Sequence, residues 1–141
     1  MMFEKTYEQR LALWHNFRNF LESSETPIQD TLKFYSTAPR VSIHTDPYDN
    51  STWPNPWELI KENQYCDFCL LLGVCYTLQL TERFKDSIFE IHIAQDHTNA
   101  ETLYLLYIDE LVIGWNEHYA HRDDLPNSVV AQNIYAMPAL Q

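Results

Sequence analysis

Glycine is almost absent. The 141 residues hold two, Gly73 and Gly114, so no glycine-rich loop is there to cradle a phosphate. Basic residues are scarce as well: nine Lys and Arg stand against twenty Asp and Glu, a formal net charge of −11. The nine are scattered singly, which argues against a nucleic-acid backbone or an anionic membrane surface as partner. The three cysteines, Cys66, Cys69 and Cys75, lie inside one segment. An odd number so placed is not the disulfide framework of a secreted domain, and fits a reducing cytosol. The longest uncharged apolar run, about Phe68 to Leu80, is too short to span a bilayer. The opening stretch MMFEKTYEQRLALW carries acidic residues and lacks the apolar core of a signal peptide.

What the chain does have is aromatic and apolar mass. Nine Tyr, seven Phe and four Trp make up 14% of it, and 45% is hydrophobic. That suits one folded domain over 1–141, long enough to bury a core. Aromatics in surplus serve as core or as anchors in protein–protein interfaces.

The periodicity changes partway along. Phe3, Tyr7, Leu11, Trp14, Phe17 and Leu21 step by three and four, which predicts a helix from Phe3 to Ser23. Thr26-Pro27 opens a second helix, with Thr26 as N-cap, ending before Ala38-Pro39. Arg40 to His44 reads as a short extended segment, and Thr45 to Asn55 as a loop. Asn55 caps a third helix, with Pro56 first in it and Glu58 completing a capping box. Cys66 to about Phe84 is the main helix, apolar nearly all round and therefore expected to be central and buried. From Ser87 the period is two. Ser87–Gln95, Thr102–Ile108 and Leu111–Trp115 are expected strands, with Asp109-Glu110 a turn between the last two. His118 to Pro126 reads as loop, and Ile134 to Gln141 as an extended tail. Helices first and about three antiparallel strands after them define an α+β fold.

Cys66 is the sharpest chemical candidate. It falls at the start of the central helix, where the dipole and free amides favour a thiolate. A nucleophile there needs an imidazole base and a third group to orient it. Cys69 and Cys75, deeper in the helix, read as packing. Cys66 and Cys69 lie three apart, a zinc-like spacing that His118 and His121 could complete. The cysteines sit in an apolar helical run and not in a knuckle turn, so no metal and no cofactor is expected. Asp46 and Asp49 are turn residues, and Asp67 is a first-turn acid matching the helix dipole. His92, beside Glu90 on the polar face of its strand, reads as solvated. Trp53 and Trp57 frame the start of the third helix, as core or as interface. Tyr135 and Met137 in the tail are the other interface candidates.

Two resemblances are carried by particular residues. Glu8-Gln9-Arg10, Phe34-Tyr35, Ala38-Pro39-Arg40, Asp46-Pro47, Trp53-Pro54, Pro56-Trp57-Glu58-Leu59, Tyr65-Cys66, Tyr76-Thr77-Leu78-Gln79-Leu80-Thr81 and Met137-Pro138 resemble a group of small proteins of tailed phages, marine and cyanobacterial ones in particular. The likeness covers nearly all of the chain. Separately, Cys66, Asp67, Phe68 and Leu70 to Leu72 are similar in outline to the nucleophile segment of transglutaminase-like cysteine enzymes. That resemblance implies a histidine on a following strand and an Asp or Asn on the next. Thr102-Leu103-Tyr104 stands where the histidine-bearing strand begins, so His97, five residues upstream, is the candidate base. Asn116 falls about where the orienting residue belongs.

Three functions are thus expected, in this order. The first is a non-catalytic phage protein in the host cytoplasm or the virion, a neck, tail or baseplate component binding other phage proteins. The second is a cysteine hydrolase or acyl-transferase using Cys66 with His97 or His92 and with Asn116 or Asp109. The third is an acidic host-directed modulator that binds a basic protein.

Overall fold

The computed structural model describes residues 1–42, 45–115 and 119–140. They fall into two compact units, 1–85 and 86–140. Among the described residues no helix is long and apolar enough to cross a membrane.

The first unit is helical. A 3-10 turn over Met2–Glu4 precedes α1, Tyr7–Leu21. The continuous helix expected from Phe3 is interrupted because Thr6 caps α1. Its hydroxyl accepts from the Gln9 amide, and the Gln9 side chain reciprocates at the Thr6 amide. A capping box satisfies two otherwise orphaned donors, so it fixes where a helix starts. α2 is Pro27–Tyr35. Thr26 precedes it as expected, but its hydroxyl turns to the Asp30 carboxylate, at 3.3 Å, and makes no capping bond to the backbone. α3, Pro56–Glu62, has the Asn55/Glu58 capping box and ends on Asn63 in the left-handed region at φ 53°. α4, Asp67–Gln79, is shorter than the expected Cys66–Phe84. Cys66 stands outside it as N-cap, and the helix closes at Leu80. Eleven of its side chains or backbone positions, Phe68, Cys69 and Leu71 through Gln79, are buried, as its all-round apolarity requires. Of the expected extended segment, Arg40 forms an isolated parallel bridge with Tyr65. Ile43 and His44 lie outside the described residues.

Thr77 ties α1, α2 and α4 together. Its hydroxyl donates to the Gly73 carbonyl at 2.7 Å. It also receives Trp14 Nε1 at 3.0 Å and meets the Tyr35 hydroxyl at 2.9 Å. One donor and two acceptor sites are all that a threonine hydroxyl has. Gly73 permits the approach of α2: a Cβ there would lie 2.7 Å from the buried Tyr35 ring.

The second unit is an antiparallel sheet of β1 (Phe89–Asp96), β2 (Glu101–Ile108), β3 (Leu111–Ile113), β4 (Tyr119–His121) and β5 (Val129–Met137). Their order across the sheet is β4-β3-β2-β1-β5. The expected count of about three strands is therefore corrected to five among the described residues. β4 escapes the reading because three residues carry no measurable alternation. β5 is anticipated only from Ile134 on, as the extended tail; Val129 to Asn133 escape the reading because Gln132 and Asn133 break the apolar pattern. They do so where the strand is bulged: β5 shifts register between Ile93 and Ala94 of β1, with Gln132 the extra residue. The Asp109-Glu110 turn joins β2 to β3 as expected, with Asp109 at φ 52° in place of glycine. Gly114 follows at φ 110°, and a Cβ on it would collide with the Tyr104 carbonyl, so this turn does need glycine.

Register sorts the side chains. Phe89, Ile91 and Ile93 of β1 share a face with Leu106 and Ile108 of β2 and with Tyr135 and Met137 of β5. The β1 and β2 members are buried. On the opposite face, Ala94, Leu105 and Val112 form a second cluster, covered by Leu103, Tyr107, Trp115, Leu125 and Val129.

Candidate functional site

Cys66 occupies the N-cap of α4, with φ −76° and ψ 172°, so the expected dipole position is real. The residue is 2% exposed. Tyr65 before it is buried, and the main chain there is pinned: Tyr65 N donates to Pro39 O at 3.0 Å and Val41 N donates to Tyr65 O at 3.2 Å. Asp67 after it pairs with Arg40 across exposed surface. Cys69, one turn on, donates to the Thr45 hydroxyl at 3.3 Å. Burial pushes its thiol up to about 12, against the opposing pull of Thr45 and with the nearby Cys66 adding to the rise. Burial alone raises Cys75 further still. A thiol so shifted stays protonated and unreactive near neutrality.

The partners of a cysteine mechanism are placed as follows. His15 is the one histidine among the described residues of the helical unit, and it faces Asn19 on the exposed side of α1 at 3.2 Å. His97 is exposed in the turn between β1 and β2, in the other unit. Its amide donates to Ser128 O at 2.8 Å, and the turn is built by the Asp96 carboxylate, which accepts from Thr98 N and Asn99 N. Asn116 and His118 lie outside the described residues. Asp109 is occupied structurally, its carboxylate accepting from Ile88 N at 2.9 Å and its carbonyl from Arg122. His121 accepts from the Asp123 amide through Nδ1. Among the described residues, no three His, Cys, Asp or Glu side chains converge as a metal would require.

His92 is a correction. Expected in solvent, it is 8% exposed. Its ring stacks on Tyr107 with centroids 3.8 Å apart, and Nε2 lies 3.1 Å from Glu90 Oε1. The Arg122 guanidinium stands 5.0 Å from the centroid of the same Tyr107 ring. The register explains the group: Glu90 pairs with Tyr107 and His92 with Leu105, on the face where Ala94 and Leu105 are buried. Alternation put Glu90 and His92 side by side in the sequence. Tyr107 could have been added by the same period-two count, whereas Arg122 sits in a short 3-10 turn with no pattern to place it. A carboxylate that fixes an imidazole's tautomer is half of an acid–base device. Among the described residues the imidazole's other contact is an aromatic face, so the group packs and orients.

The four interface candidates divide. Trp53 is half-buried against Phe68, with Nε1 donating to Asp46 O at 3.0 Å. Trp57 is 47% exposed, its ring edge-on to Trp14. Tyr135 and Met137 are half-buried and point to one face of β5. The sequence reading missed the more exposed residues of that strand. Val130 is 47% and Ile134 57% exposed, and Ala131, Gln132 and Ala136 are exposed too. β5 ends the sheet on its side, so its outer edge has no strand beside it among the described residues. The signal was available: residues 125–141 contain no Asp, Glu, Lys or Arg.

A third feature is an open apolar groove of about 420 Å³ lined by Met1, Met2, Phe3, Phe17, Phe20, Phe34, Asp30 and Lys33. Phe17 and Phe34 stack within it at 4.0 Å.

No family model, curated protein or solved structure matches the chain.

Proposed function

We propose that the chain is a non-catalytic phage protein that works by binding other proteins, as a virion or assembly component of the neck, tail or baseplate kind. The observation that carries this reading is β5: a nine-residue sheet edge with exposed Val130 and Ile134 and no charged residue, in a chain of net charge −11. Proteins that must stay apart guard such edges with lysine, proline or very short strands. β4, at the other edge, is three residues long and runs into Arg122-Asp123-Asp124; β5 has no such charge or proline. Burial of Cys66 supports the same reading, because a packed thiol does not present itself to a substrate. The phage context rests on the whole-chain resemblance of the sequence.

The scaffold is proposed to be transglutaminase-like in its order, a cysteine at a helix start followed by antiparallel strands. Folds of one order routinely carry unrelated functions. One observation favours the enzyme reading, in which Cys66 would act with His97 and Asn116: Cys66 does occupy the N-cap of α4.

Two variants in the virus proposed to encode the protein separate these readings. Ile134→Lys is expected to lower the yield of infectious particles and remove the protein from purified ones, while Cys66→Ala leaves both unchanged. Loss of infectivity with Cys66→Ala in folded protein, alongside a normal Ile134→Lys phage, would overturn the binding reading in favour of catalysis.

A further inference from the structure

The apolar groove of the helical unit has the size of a ligand site. It holds about 420 Å³, within the roughly 300–1,000 Å³ of small-molecule pockets. Four aromatic rings run through it in contact. Phe20 meets Phe17 at 6.1 Å between centroids, Phe17 stacks on Phe34 at 4.0 Å, and Phe34 meets Phe3 at 5.6 Å. Met2 and Phe3 are buried, whereas Phe20 is 54% exposed, so part of this apolar wall faces water. Unbranched methionines, Met1 and Met2 here, adapt to the shape of what they touch. Two charged side chains also line the groove, Asp30 and Lys33. Asp30 is engaged elsewhere: Oδ2 accepts from the Ser24 hydroxyl, and Oδ1 from the Thr26 hydroxyl at 3.3 Å. Lys33 is exposed, and its ammonium has no carboxylate partner among the described residues. In a chain of net charge −11, the uncommitted charge at this apolar groove is therefore a cation.

We infer that the groove binds a monocarboxylate with an apolar acyl chain, the chain lying along the Phe20, Phe17 and Phe34 rings and the carboxylate meeting the Lys33 ammonium. Covering the exposed apolar wall favours association in proportion to the area removed from water. One ammonium is a compact point charge, which suits a singly charged head; a polyphosphate would need more cations than the groove supplies. An alkylammonium carries the wrong sign for Lys33, and both oxygens of Asp30 already accept hydrogen bonds. Such a site is independent of protein binding at β5, because every residue lining it belongs to the unit 1–85.

The test is titration of the full chain with decanoate and, separately, with decylammonium, followed by backbone amide NMR shifts. The two probes share a chain and differ in the charge of the head. At about 0.15 M salt, charges more than about 8 Å away are largely screened, so the local cation decides. Decanoate is expected to bind saturably, with a dissociation constant of about 0.1–1 mM, and to shift residues of α1 and α2. Decylammonium is expected to bind about fivefold more weakly, although the net charge of −11 alone would favour it. Lys33→Met keeps an unbranched apolar stem and removes the charge. It is expected to weaken decanoate about threefold and to abolish the preference between the probes. Phe20→Ser, at an exposed position, is expected to weaken both. Absence of saturable decanoate binding overturns the inference. So do decylammonium binding as tightly as decanoate, shifts centred outside α1 and α2, and an unchanged decanoate affinity in Lys33→Met whose amide spectrum shows it folded.

Discussion

Thr77 is the residue whose loss should cost most for its size. Its hydroxyl is buried and holds three partners on three helices. Thr77→Val keeps the shape but leaves the Trp14 indole N–H and the Tyr35 hydroxyl without that acceptor. Stranded buried donors cost about 1–3 kcal/mol each, so for two of them urea denaturation is expected to show a loss of about 2–6 kcal/mol. Ionisation at buried residues sets a second expectation. Burial raises Cys69 and Tyr35 each to about 12, and raises Cys75, Tyr65 and Tyr76 as well. In each case the folded chain holds its proton beyond the unfolded values of about 8.5 for thiols and about 10 for phenols. Between those values and the folded ones the native state binds more protons, so stability falls as pH rises. The melting temperature is expected to be flat up to about pH 8 and to drop steadily above about pH 9. A rise in that window would contradict the burial of these groups. The burial of Cys69 and Cys75 was legible from the all-round apolarity of their helix, but the Thr77 network was not: Thr77 was one member of an apolar helix face, and its partners come from up to 63 positions away.

At the level of elements, local chemistry was legible and its limits were set by tertiary pairing. Asn55, Pro56 and Glu58 announce α3, and its capping box forms with bonds of 2.8 and 2.9 Å. Asn55→Ala is expected to cost about 1 kcal/mol in chemical denaturation, the usual loss for a cap. Thr6 and Gln9 carry the same signal, but an unbroken apolar stripe from Phe3 concealed it. Apolar periodicity shows which face is buried and does not mark where a helix stops. β1 and β2 read correctly because alternation over eight residues is a strong pattern. β5 was read only from Ile134 on, since its full extent depends on pairing with β1 across more than thirty intervening residues and on a bulge. The site followed the same division. The position of Cys66 at a helix start was readable, while its burial was not, because that is a property of what surrounds it.

At the scale of the whole molecule, composition limited the partners more firmly than any motif assigned a task. A charge of −11 with scattered basic residues disfavours polyanionic partners, and β5 carries none of that charge. Whether Cys66 packs or reacts then decides between binding and catalysis. The measurement is its alkylation rate in the native protein against pH, followed site by site by mass spectrometry. Binding predicts slow labelling throughout pH 6 to 9, rising to the rate of a free thiol only when the protein is unfolded. Fast native labelling, with an apparent pKa well below the free-thiol value of about 8.5, would contradict it and make Cys66 a nucleophile.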